Sequence, residues 1–181
     1  MNQDLLIQLV GFVAMAASFL VFQTNRRSRM LVLQIFASIL WSIHFLFLGA
    51  LTGSAMGILG GVRNFVFYRV GKKRDVRIPL GISALFIMAT ALMWDGFISF
   101  LPLLGTLIAT LALWQINTRQ IRLIYWVSPL LWLGYNVFYS GSYAGITADL
   151  VMLTSVLIGV YRFDIKPTLK RTLRTASQKL R

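Results

Sequence analysis

Two stretches of the chain have similar sequences: LWSIHFLFLG at residues 40–49 and LWLGYNVFYSG at residues 131–141. Each contains a Leu-Trp pair, a ring-bearing residue three positions after the Trp, and a Gly at its end. Neither stretch carries an acidic or basic residue other than one His. An apolar motif that occurs twice in a chain of 181 residues indicates a fold built from repeated, deeply buried elements.

The composition indicates that lipid is the main solvent of this chain. Hydrophobic residues make up 57% of it and charged residues 13%, which is about half the charged share of a soluble domain. A helical run of about 16 to 20 residues crosses a hydrocarbon layer of roughly 30 Å. In lipid only helices and closed barrels satisfy the backbone, and barrel strands would alternate apolar and polar residues. The runs do not alternate, so we predict an all-α integral membrane protein with seven transmembrane helices, over Leu5–Phe22, Met30–Leu48, Ser54–Tyr68, Ile78–Met93, Phe97–Ile116, Leu123–Tyr139 and Tyr143–Tyr161.

The basic residues predict an orientation in the membrane. All but one of the 18 Lys and Arg residues follow an odd-numbered run, and none lies in a link after an even-numbered run. Because cytoplasmic loops carry the excess of Lys and Arg, we expect the odd links inside the cell, with N-out and C-in termini. The residues concerned are Arg26, Arg27 and Arg29; Arg69, Lys72, Lys73, Arg74 and Arg77; Arg119 and Arg122; and Arg162, Lys166, Lys170, Arg171, Arg174, Lys179 and Arg181.

The two similar stretches at 40–49 and 131–141 belong to a longer internal repeat. A shift of 92 residues superimposes identical residues at helix ends, whereas the Leu-Trp pair matches at 91, so one residue has slipped within the second or sixth helix. We predict two parallel three-helix-bundle repeats joined by a linker helix, a 3+1+3 plan. Its parts are residues 1–70, the basic cytoplasmic link and linker helix at 71–96, the second repeat at 97–164 and a basic cytoplasmic tail at 165–181. The matches at 92 are Ala17/Ala109, Gln23/Gln115, Asn25/Asn117, Arg27/Arg119, Leu31/Leu123, Gly49/Gly141 and Gly53/Gly145.

These motifs resemble a known group of membrane proteins. FQTNRRSR at 22–29, WQINTRQIR at 114–122, LWSIH, LWLGY and the 3+1+3 plan are similar to the SWEET/PQ-loop (MtN3-like) superfamily. The stretch LLGTLIATLAL and the Arg-Phe pair that closes the last run resemble the YgjV-type bacterial inner-membrane proteins within it. The resemblance implies a central pathway between two bundles and passage of a small polar, sugar-like solute. The Pro of the Pro-Gln pair is absent, because Phe22 and Trp114 stand in its place.

Two charged residues fall inside apolar runs, at Arg63 and Asp149. A charge at the centre of a membrane helix costs roughly 2.5–3.5 kcal/mol, so its presence requires an explanation. Arg63 could extend to the nearer boundary, pair with Asp149, or line a wet central cavity with it to bind or select a solute. Asn64 is a further candidate, although neighbours on a helix diverge by about 100°, so both cannot point inward equally.

Four more residues complete the set of candidate solute-binding residues. Trp41 and Trp132 lie near the middle of their runs and could stack on the apolar face of a sugar ring or serve as packing. His44 and Asn136 correspond at the 92-residue shift. They could form interhelical hydrogen bonds, or His44 could sense protons or contact a solute.

Several other function classes lack support in the sequence. One His, no Glu and no Cys do not provide a His-rich metal site or a pair of carboxylates for acid-base chemistry, so we expect no enzyme, no metal and no cofactor. The net charge of +13 is distributed as topology signals, so we expect no nucleic-acid partner. Gly53, Gly57 and Gly61, spaced four apart, favour close helix packing.

The partners that we expect are therefore the lipid bilayer and a small polar solute. One chain holds both repeats, so a monomer suffices and a homodimer is compatible. Leu169, Leu173, Ala176 and Leu180 have helical spacing, which is typical of an interfacial helix, although a disordered basic end also fits. Two functions follow: a carrier of a small polar metabolite at the bacterial inner membrane, or a non-transporting receptor or assembly protein with the same fold.

Overall fold

The seven apolar runs fold as seven helical rods in the computed structural model, which describes residues 3–71 and 75–167. Within these ranges no residue forms a strand, and the predicted all-helical fold is confirmed. The predicted tail helix lies outside the described residues. The helices are α1 (Gln3–Phe22), α2 (Arg27–Phe47), α3 (Leu51–Val70), α4 (Arg77–Leu92), α5 (Phe100–Trp114), α6 (Thr118–Tyr125), α7 (Val127–Tyr135) and α8 (Tyr143–Val160).

Within residues 3–71 and 75–167, three helices are long and apolar enough to cross a membrane by length and composition: Arg27–Phe47, Phe97–Trp114 and Tyr143–Ile165. The second includes a 3₁₀ turn before α5, and the third includes a π-helical turn after α8. Leu6–Phe22 and Arg77–Leu92 are apolar helices of shorter length.

The distribution of polarity is inverted relative to a soluble protein. Large apolar side chains cover the outer surface, among them Phe36, Ile58 and Leu157, which are 61%, 59% and 68% exposed. Polar side chains such as His44, Asn64 and Ser155 are instead buried between the helices. Soluble proteins rarely expose such a continuous apolar surface. This surface therefore matches a lipid environment.

The helices pack so that the first and last of them meet. α2 lies between α1 and α3, α1 packs against α8, and α3 packs against α5. α5 also contacts α6 and α7, α7 contacts α8, and α4 lies against α3 and α5. The largest apolar core is at the end of the bundle where α1, α3 and α5 finish, and it is centred on Phe22, Met30, Phe67, Leu113 and Ile121.

α6 and α7 form one rod with a local irregularity at Trp126. Pro129 has no backbone N–H, so the carbonyl of Tyr125 loses its usual helical partner. α6 ends at Tyr125 and α7 begins at Val127, while Trp126 between them keeps helical dihedral angles (φ −58°, ψ −24°). The rod therefore continues through the junction.

A π-helical turn over Asn136–Ser140 follows α7. Such a turn accommodates one extra residue in a helix. The offset between the repeats is 92 residues at Leu31/Leu123, 91 at Trp41/Trp132 and 92 again at Gly49/Gly141. α2 has no such irregularity, so the slip predicted for the second or sixth helix lies in the sixth, between the Trp126 junction and the π turn.

Gly49 and Gly141 end the two matched helical rods in the same way. Their φ angles are +74° and +59°, in the left-handed region that favours glycine. The repeated Gly of the opening motif therefore has a physical cause, since each marks the point where the chain reverses between helices.

Candidate functional site

A central cavity of about 120 Å³ lies between the helices. This volume exceeds what one water molecule needs, and several polar groups line it. Five of the seven predicted site residues are at its wall: Trp41, Arg63, Trp132, Asn136 and Asp149. The wall also includes Ser18, Gln34, Ser38, Phe45, Gly57, Gly60, Thr106, Tyr125, Ser128 and Met152, among others.

Arg63 is held at the cavity wall by contacts with α5. Its Nη1 donates to the carbonyl of Thr106 at 3.3 Å and to Thr110 Oγ1 at 3.1 Å, and its Nε donates to Asn64 Oδ1 at 3.1 Å. The guanidinium also lies 5.8 Å from the ring centroid of Phe86. Only 4% of Arg63 is exposed, so the side chain turns into the bundle and does not extend to the membrane boundary.

Asp149 is held by the end of α7. Asn136 Nδ2 donates to Asp149 Oδ2 at 2.8 Å, and Ser140 Oγ donates to Asn136 Oδ1 at 2.7 Å. The amide of Asn136 lies directly over Gly145, where an added Cβ would come within 2.7 Å of Asn136 Cγ. Gly145 therefore permits the close approach that aims Asn136 at Asp149.

The two charges do not pair with each other. Within the described ranges no N···O distance of 4 Å or less joins Arg63 and Asp149, and the ion pair found there is Arg122–Asp164. Arg63 Nη2 and Asp149 Oδ1 have no hydrogen-bond partner among the described residues. Neither atom is sealed from the cavity as a buried unsatisfied group. Each charged group thus retains one free atom at the cavity wall.

Aromatic rings form an apolar part of the wall. Phe45 stacks on Trp41 with ring centroids 5.7 Å apart and on Trp132 with centroids 5.8 Å apart. Trp41 Nε1 donates to Ser18 Oγ at 3.0 Å, which fixes its ring on α1. The matched tryptophans therefore flank one phenylalanine and are both packed and in contact with the cavity.

Gln34 and Tyr125 are wall residues that the sequence reasoning missed. Gln34 Nε2 donates to Tyr125 Oη at 2.9 Å, which links α2 to α6, and both side chains are buried. An amide inside the second apolar run was a usable signal, because a buried amide requires a partner. Tyr125 gave no such signal, since tyrosine is common at membrane interfaces.

Two predicted residues lie away from the cavity wall. Asn64 donates to Ser38 Oγ at 3.4 Å and accepts from Arg63, so it supports the arginine from behind. His44 contacts the carbonyl of Ile7 through Nδ1 at 2.9 Å and Ser142 Oγ through Nε2 at 2.8 Å. His44 thereby joins α1 to the start of α8, where Ser142 Oγ accepts from Gly145 N–H.

The contacts over two matched glycines align Asn136 with Phe45, one residue from the correspondence with His44 at the 92-residue shift. A Cβ on Gly53 would lie 3.1 Å from Phe45, just as one on Gly145 would meet Asn136. Gly53 and Gly145 match at 92 residues, whereas Phe45 and Asn136 are 91 apart, the offset that holds before the π turn. Phe45 and Asn136 therefore make similar contacts with the matched glycines.

Arginines predicted as topology signals also make specific contacts. Arg27 donates to the carbonyls of Gln115, Leu113, Phe67 and Gly71, at the ends of α3 and α5. Arg122 pairs with both oxygens of Asp164 at 2.9 Å and is 1% exposed. Cations at helix C-termini are favourable, and the bidentate pair provides partners for Nε and Nη2 of Arg122, while its buried Nη1 has none among the described residues.

The described residues contain no group of three or more His, Cys, Asp or Glu side chains that could hold a metal ion. The cavity chemistry is instead that of hydrogen bonds, two separate charges and aromatic surfaces. Such a wall can bind and orient a polar molecule.

Comparison with known proteins agrees with this membrane architecture. The family model of bacterial inner membrane proteins named Imp-YgjV matches residues 5–166. The chain is 26% identical over 164 residues to the inner membrane protein YgjV of Escherichia coli strain K12, covering 87% of this chain and 84% of that protein. No solved structure matches. With its multi-pass apolar helices, the chain is a bacterial inner membrane protein that belongs to the YgjV family.

Proposed function

We propose that this protein carries a small polar solute across the inner membrane through the central cavity. The observation that carries the proposal is the pair of charged side chains, Arg63 and Asp149, that line the cavity without pairing with each other. Charges inside a membrane protein mark solute or ion pathways more often than packing, because they are costly to bury. Polar groups from α1, α2, α3, α5, α7 and α8 converge on the same space.

The proposal includes the 3+1+3 arrangement. Its support is that α3 of the first half packs on α5 of the second, while α8 of the second half packs on α1 of the first. The matched contacts Phe45–Gly53 and Asn136–Gly145 add to that support. Two similar bundles that meet at a cavity can move against each other and open it to either side.

The proposed orientation is N-out and C-in, with Arg27, Arg122 and Asp164 at the cytoplasmic end. Its support is the excess of basic residues in alternate links. Because the chain has no Cys, a single cysteine at Gln3 or Lys166 would report the side of each end directly. Reaction of both thiols with an impermeant reagent from the same side would contradict the orientation.

Uptake into proteoliposomes tests the carrier function. Purified protein would be assayed with radiolabelled sugars, amino acids and nucleosides, and binding would be measured in parallel. We expect flux of at least one solute that falls to background in Asp149→Asn and Arg63→Gln. Thr154→Val is the matched control, because Thr154 is exposed outside the cavity and bonds to its own helix. Binding without flux would contradict a carrier and favour a receptor.

A further inference from the structure

The central cavity is lined by one positive and one negative side chain, and neither forms an ion pair among the described residues. Arg63 has three hydrogen bonds, all from Nε and Nη1, and Asp149 has one, through Oδ2. All of these partners are neutral, so neither charge is compensated by an opposite charge within the described ranges. Buried charges are costly unless they are paired. An occupant that carries two opposite charges would supply both missing counter-charges.

From this arrangement we infer that the cavity binds a zwitterion: a small molecule with one ammonium and one carboxylate, such as an amino acid. The inference rests on the proposed function and names its solute class. The ammonium would donate to Asp149 Oδ1, and the carboxylate would accept from Arg63 Nη2. The two protein charges cancel, so a solute of zero net charge enters without leaving either uncompensated. A sugar could hydrogen-bond to both groups but would neutralise neither.

The depths of the two groups in the cavity suit a single small zwitterion. Arg63 Nη2 lies 3.9 Å from the position of a Cβ on Gly60, so the guanidinium extends one turn back along α3. Asp149 matches Gly57 at the 92-residue shift. Gly57 is three residues from Gly60, or about 4.5 Å along a helix. By the repeat, the two groups would therefore differ in depth by about 4.5 Å, and because both line one cavity a single small solute can contact both, with a charge-assisted hydrogen bond of about 2.8 Å at each end.

The aromatic wall supplies a place for the rest of the molecule. Trp41, Phe45 and Trp132 line the same cavity and present ring surfaces. The volume of about 120 Å³ favours a compact solute. We therefore expect small and apolar amino acids to bind better than long charged ones, which would bring a third charge.

The test compares solutes that differ by one charge. Thermal unfolding of the purified full-length protein would be measured with the standard amino acids, with glucose, and with the N-acetyl and amide derivatives of each amino acid that stabilises it. We expect at least one amino acid to raise the midpoint, and the loss of either charge to weaken its binding about tenfold or more. No amino acid binding at millimolar concentrations, or a sugar or singly charged derivative binding as tightly, would overturn the inference.

Matched variants assign each charge of the solute. Asp149→Asn should lower the affinity for the amino acid and leave that for its N-acetyl derivative nearly unchanged, whereas Arg63→Gln should spare the amide derivative. Equal loss for every solute would overturn the assignment, and the derivatives tested on the unaltered protein remain decisive if a variant fails to fold. Binding of an amino acid without its transport would contradict only the proposed carrier function. Flux of a sugar without binding of any amino acid would contradict only the inference that the solute is a zwitterion.

Discussion

Matched positions in the two halves of the sequence carry different chemistry. In the first half Phe45 packs over Gly53, and Gly57 follows on the same helix. In the second half Asn136 packs over Gly145, and Asp149 takes the place that Gly57 has in the repeat. The second half thus places a hydrogen-bonded carboxylate at the cavity where the first half places an aromatic ring and a glycine.

The reason for this difference is the spacing of the helices. A Cβ on Gly57 would lie 2.9 Å from Ser42 Cβ and 3.0 Å from its backbone nitrogen, so α2 and α3 leave no room for a side chain there. A second pair of positions differs similarly, since the fully buried Met30 matches Arg122, which pairs with Asp164. Gly53 and Gly145 each lie against a side chain of the preceding helical rod, and only in the second half of the sequence is that side chain polar.

Removal of Arg122 should have the largest effect on stability. Arg122→Gln removes the bidentate pair with Asp164, and breaking a buried pair costs about 3–5 kcal/mol of unfolding free energy. The measurement is unfolding in mixed micelles followed by circular dichroism. Arg119→Gln, which removes an equal charge from an exposed position of the same helix, should change the free energy of unfolding little.

The double variant Arg122→Met with Asp164→Leu, which imitates Met30 of the first half, should recover part of the loss. Equal losses for Arg122→Gln and Arg119→Gln would contradict the role of the pair.

Alanine at the two packed glycines should come next. Gly57→Ala and Gly145→Ala each force an added Cβ to within 3 Å of a neighbour, and overpacking costs about 1–3 kcal/mol. Gly57→Ala should be the more severe, because the atoms it meets include the backbone of Ser42. The same unfolding assay applies. Gly81→Ala is the control, since no atom lies within 4 Å of its Cβ, and it should be neutral or stabilising. Tolerance of alanine at both packed positions would contradict the described contacts.

The support of Asp149 can be tested through Asn136. Asn136→Ala removes the donor to Asp149 Oδ2, and a buried group left without its hydrogen bond costs about 1–2 kcal/mol. Phe45→Leu alters the matched position of the first half, which belongs to the aromatic part of the cavity wall. Asn136→Ala should therefore weaken binding of the amino acid and spare its N-acetyl derivative, whereas Phe45→Leu should weaken both alike. Equal losses for the amino acid and its N-acetyl derivative in Asn136→Ala would contradict the support of Asp149 by Asn136.

The smallest difference is expected between the matched tryptophans. Trp41→Phe keeps a ring on Phe45 and loses the hydrogen bond to Ser18, worth about 0.6 kcal/mol in a membrane protein. No hydrogen bond of Trp132 Nε1 is found among the described residues, so Trp132→Phe should not lose the free energy of such a bond. Double-mutant cycles with Ser18→Ala would isolate it. A coupling for Trp132 as large as for Trp41 would contradict the assignment.

The sequence predicted the helical rods well because the apolar runs are long and end in charges or Gly. Its errors lie at helix ends. α2 begins at Arg27, three residues before the predicted run, because a polar first turn can continue a helix beyond the hydrocarbon. Asn136 matches His44 at the 92-residue shift and Phe45 at the 91-residue offset of the tryptophans, and neither length nor hydropathy indicates the π turn at this point.

The site could be predicted in part for a similar reason. Arg63 and Asp149 were identifiable because a charge inside an apolar run is rare and costly. Which neighbour faces the cavity, Arg63 or Asn64, depends on helix rotation, which the uniform apolar faces of α3 do not specify. The Arg122–Asp164 pair joins residues 42 apart in the sequence, and only the packing of α6 against the end of α8 brings them together.

Accessibility of the cavity from each side of the membrane tests the central claim most directly. The chain has no Cys, and Ser38 lines the cavity, so Ser38→Cys introduces one thiol there with little change in shape. Leu157→Cys, on the exposed apolar surface, is the control. A carrier with a central pathway predicts that small impermeant thiol reagents modify Ser38→Cys in both right-side-out and inverted vesicles, and faster than Leu157→Cys. Modification from neither side, or at the rate of the lipid-facing control, would contradict it.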